Sequence, residues 1–177
     1  DVYGDLQPVW SPDGKRIAFS TERFTTNLEW VDIGHYELAL LDVESGQIQK
    51  VLGFPNGKNI NPQWTADSKG LYFLSDQNGK TDVYRIDLDS GKIFQVTNLY
   101  TGVSGITDLS PAISVAKKSG KLVFSGYDAG DFSIYSIDDP AVLKGDANLA
   151  QFEGELLSVL PPRNQPSGAL LGLLKNP

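Results

Sequence analysis

The chain has 177 residues, of which 40% are hydrophobic and 21% charged, and a net charge of −7. This is a globular composition, and with no Lys/Arg run longer than two it excludes a nucleic-acid backbone as the natural partner. Without Cys there is no disulfide or thiol chemistry, and no apolar run reaches the roughly 18 residues of a membrane helix, so no direct membrane insertion is expected.

In chain order, Asp1–Leu6 reads as a short lead-in. Pro8–Ser20 follows as an aromatic anchor (Trp10), a turn (Ser11-Pro12-Asp13-Gly14) and an alternating strand. Pro12 pre-sets φ at the first corner, Asp13 suits the second, and Gly14 supplies the positive φ that leaves the turn. Ile17 and Phe19 then share one strand face. Glu37–Asp42 predicts a further strand, and Glu44-Ser45-Gly46 a tight hairpin loop.

The pattern recurs. Pro62–Ser75 repeats the anchor, turn and strand with Trp64 and Phe73, and Asp82–Asp87 with Asp89-Ser90-Gly91 repeats the second half. Pro111–Val115 and Ser119–Ser125 form a worn third copy, followed by Ser133–Asp138. Trp10, Trp64 and Ile113 are expected in register, as are Phe19, Phe73 and Phe124. The copies start at Pro8, Pro62 and Pro111, spacings of 54 and 49 residues, slightly above the roughly 40–45 of a four-stranded propeller blade. The predicted fold is therefore all-β: a β-propeller fragment of about three four-stranded blades (about 6–55, 60–100 and 108–140, within a unit 1–140). Residues 141–177 form an irregular connector, with a short helix over Gly168–Lys175.

Three copies do not close a ring, which needs four to eight blades. Further blades of the same parent chain, or other subunits, are expected to complete it. The chain also contains no Met, so Asp1 is not expected to be the encoded start.

Chemistry-bearing motifs are sparse. Asp87-Leu88-Asp89-Ser90-Gly91 matches the first half of a calcium loop, but Asn98 stands where the closing bidentate Glu belongs, and a hairpin turn explains the same residues. His35 is the sole His, no Gly-x-Ser-x-Gly elbow exists, and no metal or cofactor is expected; neither is catalysis by this segment. Thr21–His35 interrupts blade one without a counterpart in the other copies. Its Arg23, Glu29, Asp32 and His35 are the candidate binding residues, against the alternative of a solvated loop. Trp10, Pro12, Asp13, Gly14, Phe19, Trp64, Phe73 and Phe124 are expected to serve packing and turns.

Trp10–Phe19 resembles the repeat of the PD40, or TolB-like, β-propellers. Trp64–Phe73 is a second match in which Ala66 and Ser68 replace the Pro and Gly of the pattern. The resemblance spans about residues 6–139 and implies a periplasmic or cell-envelope localisation in bacteria, with other envelope proteins as partners. Two further roles stay open: the gating propeller of a prolyl-oligopeptidase-type serine peptidase with its catalytic domain elsewhere, and a glycan- or small-molecule-binding propeller. The segment Leu99–Pro111 is also similar in texture to envelope proteins whose propeller precedes an outer-membrane barrel.

Overall fold

Pro12 and Gly14 bend the chain as their backbone preferences dictate: Gly14 sits at φ 72° and its N–H closes the turn on the Ser11 carbonyl at 2.9 Å. The turn joins β1 (Asp5–Trp10) to β2 (Arg16–Thr21), which pair antiparallel with Trp10 opposite Ile17. The computed structural model describes residues 2–128 and 130–147, and the expected helix over Gly168–Lys175 lies outside them, as does most of the 141–177 connector. From β2 the chain runs through β3 (Glu37–Asp42), β4 (Ile48–Lys50), β5 (Asn59–Trp64), β6 (Gly70–Ser75), β7 (Asp82–Asp87), β8 (Ile93–Gln95), β9 (Ile113–Val115), β10 (Leu122–Asp128) and β11 (Asp131–Ile137) to a short helix, α1 (Pro140–Lys144). The strands form successive antiparallel sheets, β1-β2-β3-β4, β5-β6-β7-β8 and β9-β10-β11. These are three propeller blades, the third with three strands rather than four among the described residues.

The chain after β11 turns away instead of forming a Ser-Gly hairpin. Asp139 caps α1 by accepting from the Ala141 N–H at 2.8 Å, Pro140 occupies the first turn, and Leu143 packs into the core between blades two and three. Asp146 then bridges to Gln95 on β8.

Two sequence expectations need correction. Phe19, Phe73 and Phe124 do occupy equivalent positions, but Leu122 lies opposite Val115, as Ile17 lies opposite Trp10 and Leu71 opposite Trp64. Val115, not Ile113, is thus the third member of the Trp series. The two-residue offset arises because Pro111 does not head its copy as Pro8 and Pro62 do. Trp10, expected as packing, is 50% exposed, whereas Trp64 is 4% exposed. Trp64 wedges against blade one, its indole N–H donating to the Val9 carbonyl at 3.1 Å and the Arg16 guanidinium lying 4.8 Å above its ring. No described sheet lies on the corresponding side of Trp10.

The innermost strands are joined by side-chain amides. A bulge between Leu6 and Val9 puts Gln7 at φ 54°, and the matching bulge in β5 puts Asn61 at φ 54°. Gln7 Oε1 accepts from the Asn61 N–H at 2.7 Å, and Asn61 Oδ1 accepts from the Ala112 and Ile113 N–H groups at 2.8 Å each. Each blade therefore satisfies backbone donors in the next. Gln7 Nε2 also donates to the Leu109 carbonyl at 2.7 Å, tying blade one to the connection between blades two and three.

The turns carry a second recurring device. Asp42 Oδ1 accepts from the Ser45 N–H (2.8 Å) and hydroxyl (2.7 Å), and Asp87 accepts from Ser90 in the same way at 2.8 Å each. Gly46 and Gly91 close these turns at φ 70° and 69°. The half calcium loop is thus a hairpin turn whose lead carboxylate is spent on its own backbone. Ser68 takes the place of Gly14 at φ 58°, and its hydroxyl accepts from the Asp13 N–H at 3.2 Å, so the substitution ties two blades together.

Two outcomes are expected. Asn61→Ala strands two backbone donors and should cost roughly 2–4 kcal/mol, read as a lower urea midpoint, while the exposed Asn56→Ala should stay within about 0.5 kcal/mol. Hydrogen bonds from Ser11, Ser45, Thr65 and Ser90 hold the carboxyls of Asp13, Asp42, Asp67 and Asp87 below the ordinary value of 3.8. Their contribution to stability is present above that value and lost as pH falls through the lower folded values. A melting-temperature series from pH 7 to 3 should therefore drop in acid, and less steeply in the Asp42→Asn/Asp87→Asn variant.

Candidate protein-interaction surface

Strands alternate in direction, so the loops joining the second and third strands of each blade gather at one end of the fold, together with the connections between blades. In blade three that loop is the short turn between Asp128 and Asp131, and in blade two it is residues 76–81, closed by Gly79 at φ 79°. In blade one it is the insertion, residues 22–36. Lys58, from the first inter-blade connection, lies 4.0 Å from Asp76 and pairs with Asp108 from the second, which confirms that these segments meet.

The insertion is built, not slack. Its base begins at buried Glu22, whose carboxylate accepts from the Gly4 N–H at 2.6 Å and whose carbonyl accepts from the Thr25 and Thr26 N–H groups. The Thr25 hydroxyl donates to the His35 carbonyl at 2.7 Å, and Thr26 Oγ1 accepts from the Gly34 N–H at 3.1 Å. Gly34 is required here, because a Cβ at that position would stand 2.2 Å from Thr25 Oγ1. Beyond this base, Asn27 and Asp32 exchange backbone hydrogen bonds of 2.8 and 3.0 Å. Asn27 Oδ1 also accepts from the Glu29 (3.0 Å) and Trp30 (3.3 Å) N–H groups, fixing the tip. Val31 is held at φ 53°, a conformation that costs a β-branched residue on the order of 1–3 kcal/mol.

The four residues singled out from sequence do not converge. Arg23 lies at the base, its guanidinium 2.7 Å from Asp5 and over the Tyr3 and Phe19 rings at 5.5 and 5.6 Å, so it fastens the loop to β1 and β2. His35 also sits low, with Nε2 3.4 Å from the carboxylate of buried Glu37, which Lys50 approaches to 2.6 Å. Glu29 and Asp32 alone reach the tip, where both are exposed.

Sequence reasoning passed over the apolar residues between them. Leu28, Trp30, Val31 and Ile33 are 52%, 77%, 81% and 76% exposed. The available signal was four large apolar side chains within six residues of a segment that no repeat requires. Large apolar side chains displayed on an ordered loop, with acidic groups between them, suit a protein interface.

The shifted buried groups elsewhere are structural. Burial raises the carboxyl of Asp82, which accepts from the Thr97 hydroxyl (2.7 Å) and the Leu99 N–H (3.2 Å) and so anchors β7 to the next connection. Burial likewise pushes the phenol of Tyr84 up to about 12, where it packs edge-on against Phe54 in the core. A cleft of about 700 Å³ opens beside α1 between blades two and three. Two of its charged groups are engaged by the fold itself: Arg85 donates to the Lys144 carbonyl at 3.0 Å, and Asp138 pairs with Lys121 at 3.2 Å. Among the described residues no cluster of three or more His, Cys, Asp or Glu is arranged to hold a metal, and no helix is long and apolar enough to cross a membrane.

Comparison with known proteins agrees with this architecture. The family profile of the PD40 TolB beta propeller domain matches residues 3–143. The chain is 26% identical over 145 residues to the uncharacterized protein Atu1656 of Agrobacterium fabrum, covering 82% of this chain and 42% of that protein. It is 35% identical over 96 residues to dipeptidyl-peptidase 5 of Porphyromonas gingivalis (52% and 13% covered). It is 27% identical over 96 residues to the Tol-Pal system protein TolB of Francisella tularensis (50% and 22%). The chain thus spans less than half the length of each of these curated relatives. Among solved structures, TolB from Acinetobacter baumannii superposes with a TM-score of 0.59 at 24% identity, covering 77% of this chain and 30% of that one. A prolyl endopeptidase superposes with a TM-score of 0.54 at 20% identity, covering 78% and 21%. The chain belongs to the PD40, or TolB-type, β-propeller family.

Proposed function

We propose that this chain is the propeller part of a protein-interaction scaffold in the bacterial cell envelope, acting in the periplasm without catalysis of its own. The observation that supports this best is the ordered insertion of blade one, which displays apolar and acidic side chains at the loop end of a TolB-type propeller. The exposed tip of this loop adds nothing to the packing of the blade that carries it. The exposed flank of Trp10 supports a second element of the reading: further blades of the same polypeptide cover it, as blade one covers Trp64.

A second reading is favoured by the 35% identity to dipeptidyl-peptidase 5 and the likeness to a prolyl endopeptidase propeller. In it, the propeller screens access to a serine peptidase domain elsewhere in the parent chain.

One experiment separates the two. The full chain is tagged in its native host, located by fractionation, and co-purified beside a variant whose residues 22–36 are replaced by the blade-two turn 76–81. The scaffold reading expects periplasmic recovery, envelope proteins that co-purify with the native chain and fall at least about tenfold with the variant, and no labelling by a fluorophosphonate serine-hydrolase probe. Cytoplasmic recovery or the absence of any co-purifying envelope protein would overturn it, equal co-purification would remove the insertion from it, and labelling of the full chain would establish the peptidase reading.

A further inference from the structure

Resting on the scaffold reading, the geometry points to the insertion tip as a docking knob. We propose that Leu28, Trp30, Val31 and Ile33 insert into an apolar pocket of a partner protein whose rim carries Lys or Arg side chains.

The apolar component follows from exposure and order together. Trp30 is 77% exposed on a tip whose backbone is already fixed by the Asn27–Asp32 bridge and by Asn27 Oδ1, so docking a large aromatic there forfeits little backbone freedom. Val31, the last of the four residues between the paired Asn27 and Asp32, takes the positive φ that closes this turn, and at that angle it is 81% exposed. The tip is therefore preorganised to present apolar surface to something outside the described fold.

The charge component decides the kind of partner. Glu29 and Asp32 lie among the four apolar residues, both exposed. The only Arg or Lys in residues 22–36 is Arg23, held by Asp5 at the base. An apolar knob with two carboxylates complements an apolar pocket with a basic rim. It does not suit a bilayer, because burying Trp30 in lipid would draw Glu29 and Asp32 toward the hydrocarbon, and an anionic surface would repel them. A second copy of this chain would bring a net charge of −7 toward the same carboxylates.

The test places the photoreactive residue p-benzoylphenylalanine at position 28 or 30 of the full chain in its native host, with position 43 on an opposite-end hairpin as control. A discrete protein adduct is expected from 28 and 30 and not from 43, with the attachment site mapping to apolar residues flanked by Lys or Arg. The Glu29→Lys/Asp32→Lys variant, with the crosslinker at 28, should keep the native melting temperature and lose at least about tenfold of the adduct. In parallel, Trp fluorescence of the native chain should not shift on adding phosphatidylcholine or phosphatidylglycerol vesicles. A vesicle-induced blue shift that Trp30→Phe removes, an adduct with a second copy, or an adduct unaffected by charge reversal would each overturn the proposal. Protein adducts from position 100 or 106, where exposed Tyr100 and Ile106 lie on the connection between β8 and β9, but none from 28 or 30 would overturn it while leaving the scaffold reading standing. No adduct from any of these positions would count against both.

Discussion

Everything in this fold depends on one constraint: a blade is a twisted sheet with two apolar faces, and neither can be left to water. The chain meets it by wedging each blade into its neighbour. Trp64 shows the magnitude. A buried Trp removes about 150–250 Å² from solvent, worth roughly 4–6 kcal/mol at about 25 cal/mol per Å², against about 1 kcal/mol for its indole hydrogen bond to Val9. The hydrophobic term thus holds blade two to blade one, and the hydrogen bond sets the angle. Trp10 has the same sequence context yet keeps half its surface in water, so it forgoes on the order of half that gain.

Wedging fixes the faces but leaves the innermost strands with a polar problem. The bulges at Gln7 and Asn61 break the regular ladder, and the N–H groups of Asn61, Ala112 and Ile113 take their acceptors from neighbouring blades instead. The solution is a side-chain amide handed from each blade to the next. It is directional, since Gln7 serves Asn61 and Asn61 serves Ala112 and Ile113. It also explains why these bulge positions carry amide side chains: a long polar acceptor is needed, and Asn tolerates positive φ better than most residues. At Ala112 the relay stops, because a methyl group accepts nothing.

Much of this was legible in the sequence, and the reasons are local. The Pro-Asp-Gly turn, the Ser-Gly turns and the two-residue alternation of Ile17–Phe19 and Leu71–Phe73 are written within a few residues, so both the blade unit and its repetition could be read directly. The failures all involve information between blades. Pro111 looked like the start of the third copy, but register is set by which residues of β9 face Leu122 and Phe124, and that pairing places Val115 at the anchor position. Trp10 and Trp64 are indistinguishable by pattern, because their difference lies in what packs beside them. The helix α1 was missed since five residues give no periodicity, and only the Asp139 cap and Leu143 in the core make it worth forming.

The insertion failed to read for a different reason. Charged residues in a loop attract attention as candidate ligands, yet Arg23 fastens the loop to Asp5 and His35 lies low beside Glu37, so neither reaches the tip. The apolar residues between them match no repeat position, so the blade pattern assigns them no role. A blade can bury only residues at its own alternating positions, and the insertion supplies none of these. Four large apolar side chains outside every packing register are unfavourable in the isolated fold, and the strained Val31 adds to that cost. The segment nevertheless has a fully formed base: Glu22 buried, Gly34 packed against Thr25, and Arg23 stacked on Phe19. A loop whose support is this well packed while its tip is this poorly buried is organised around a contact that the blade itself does not supply.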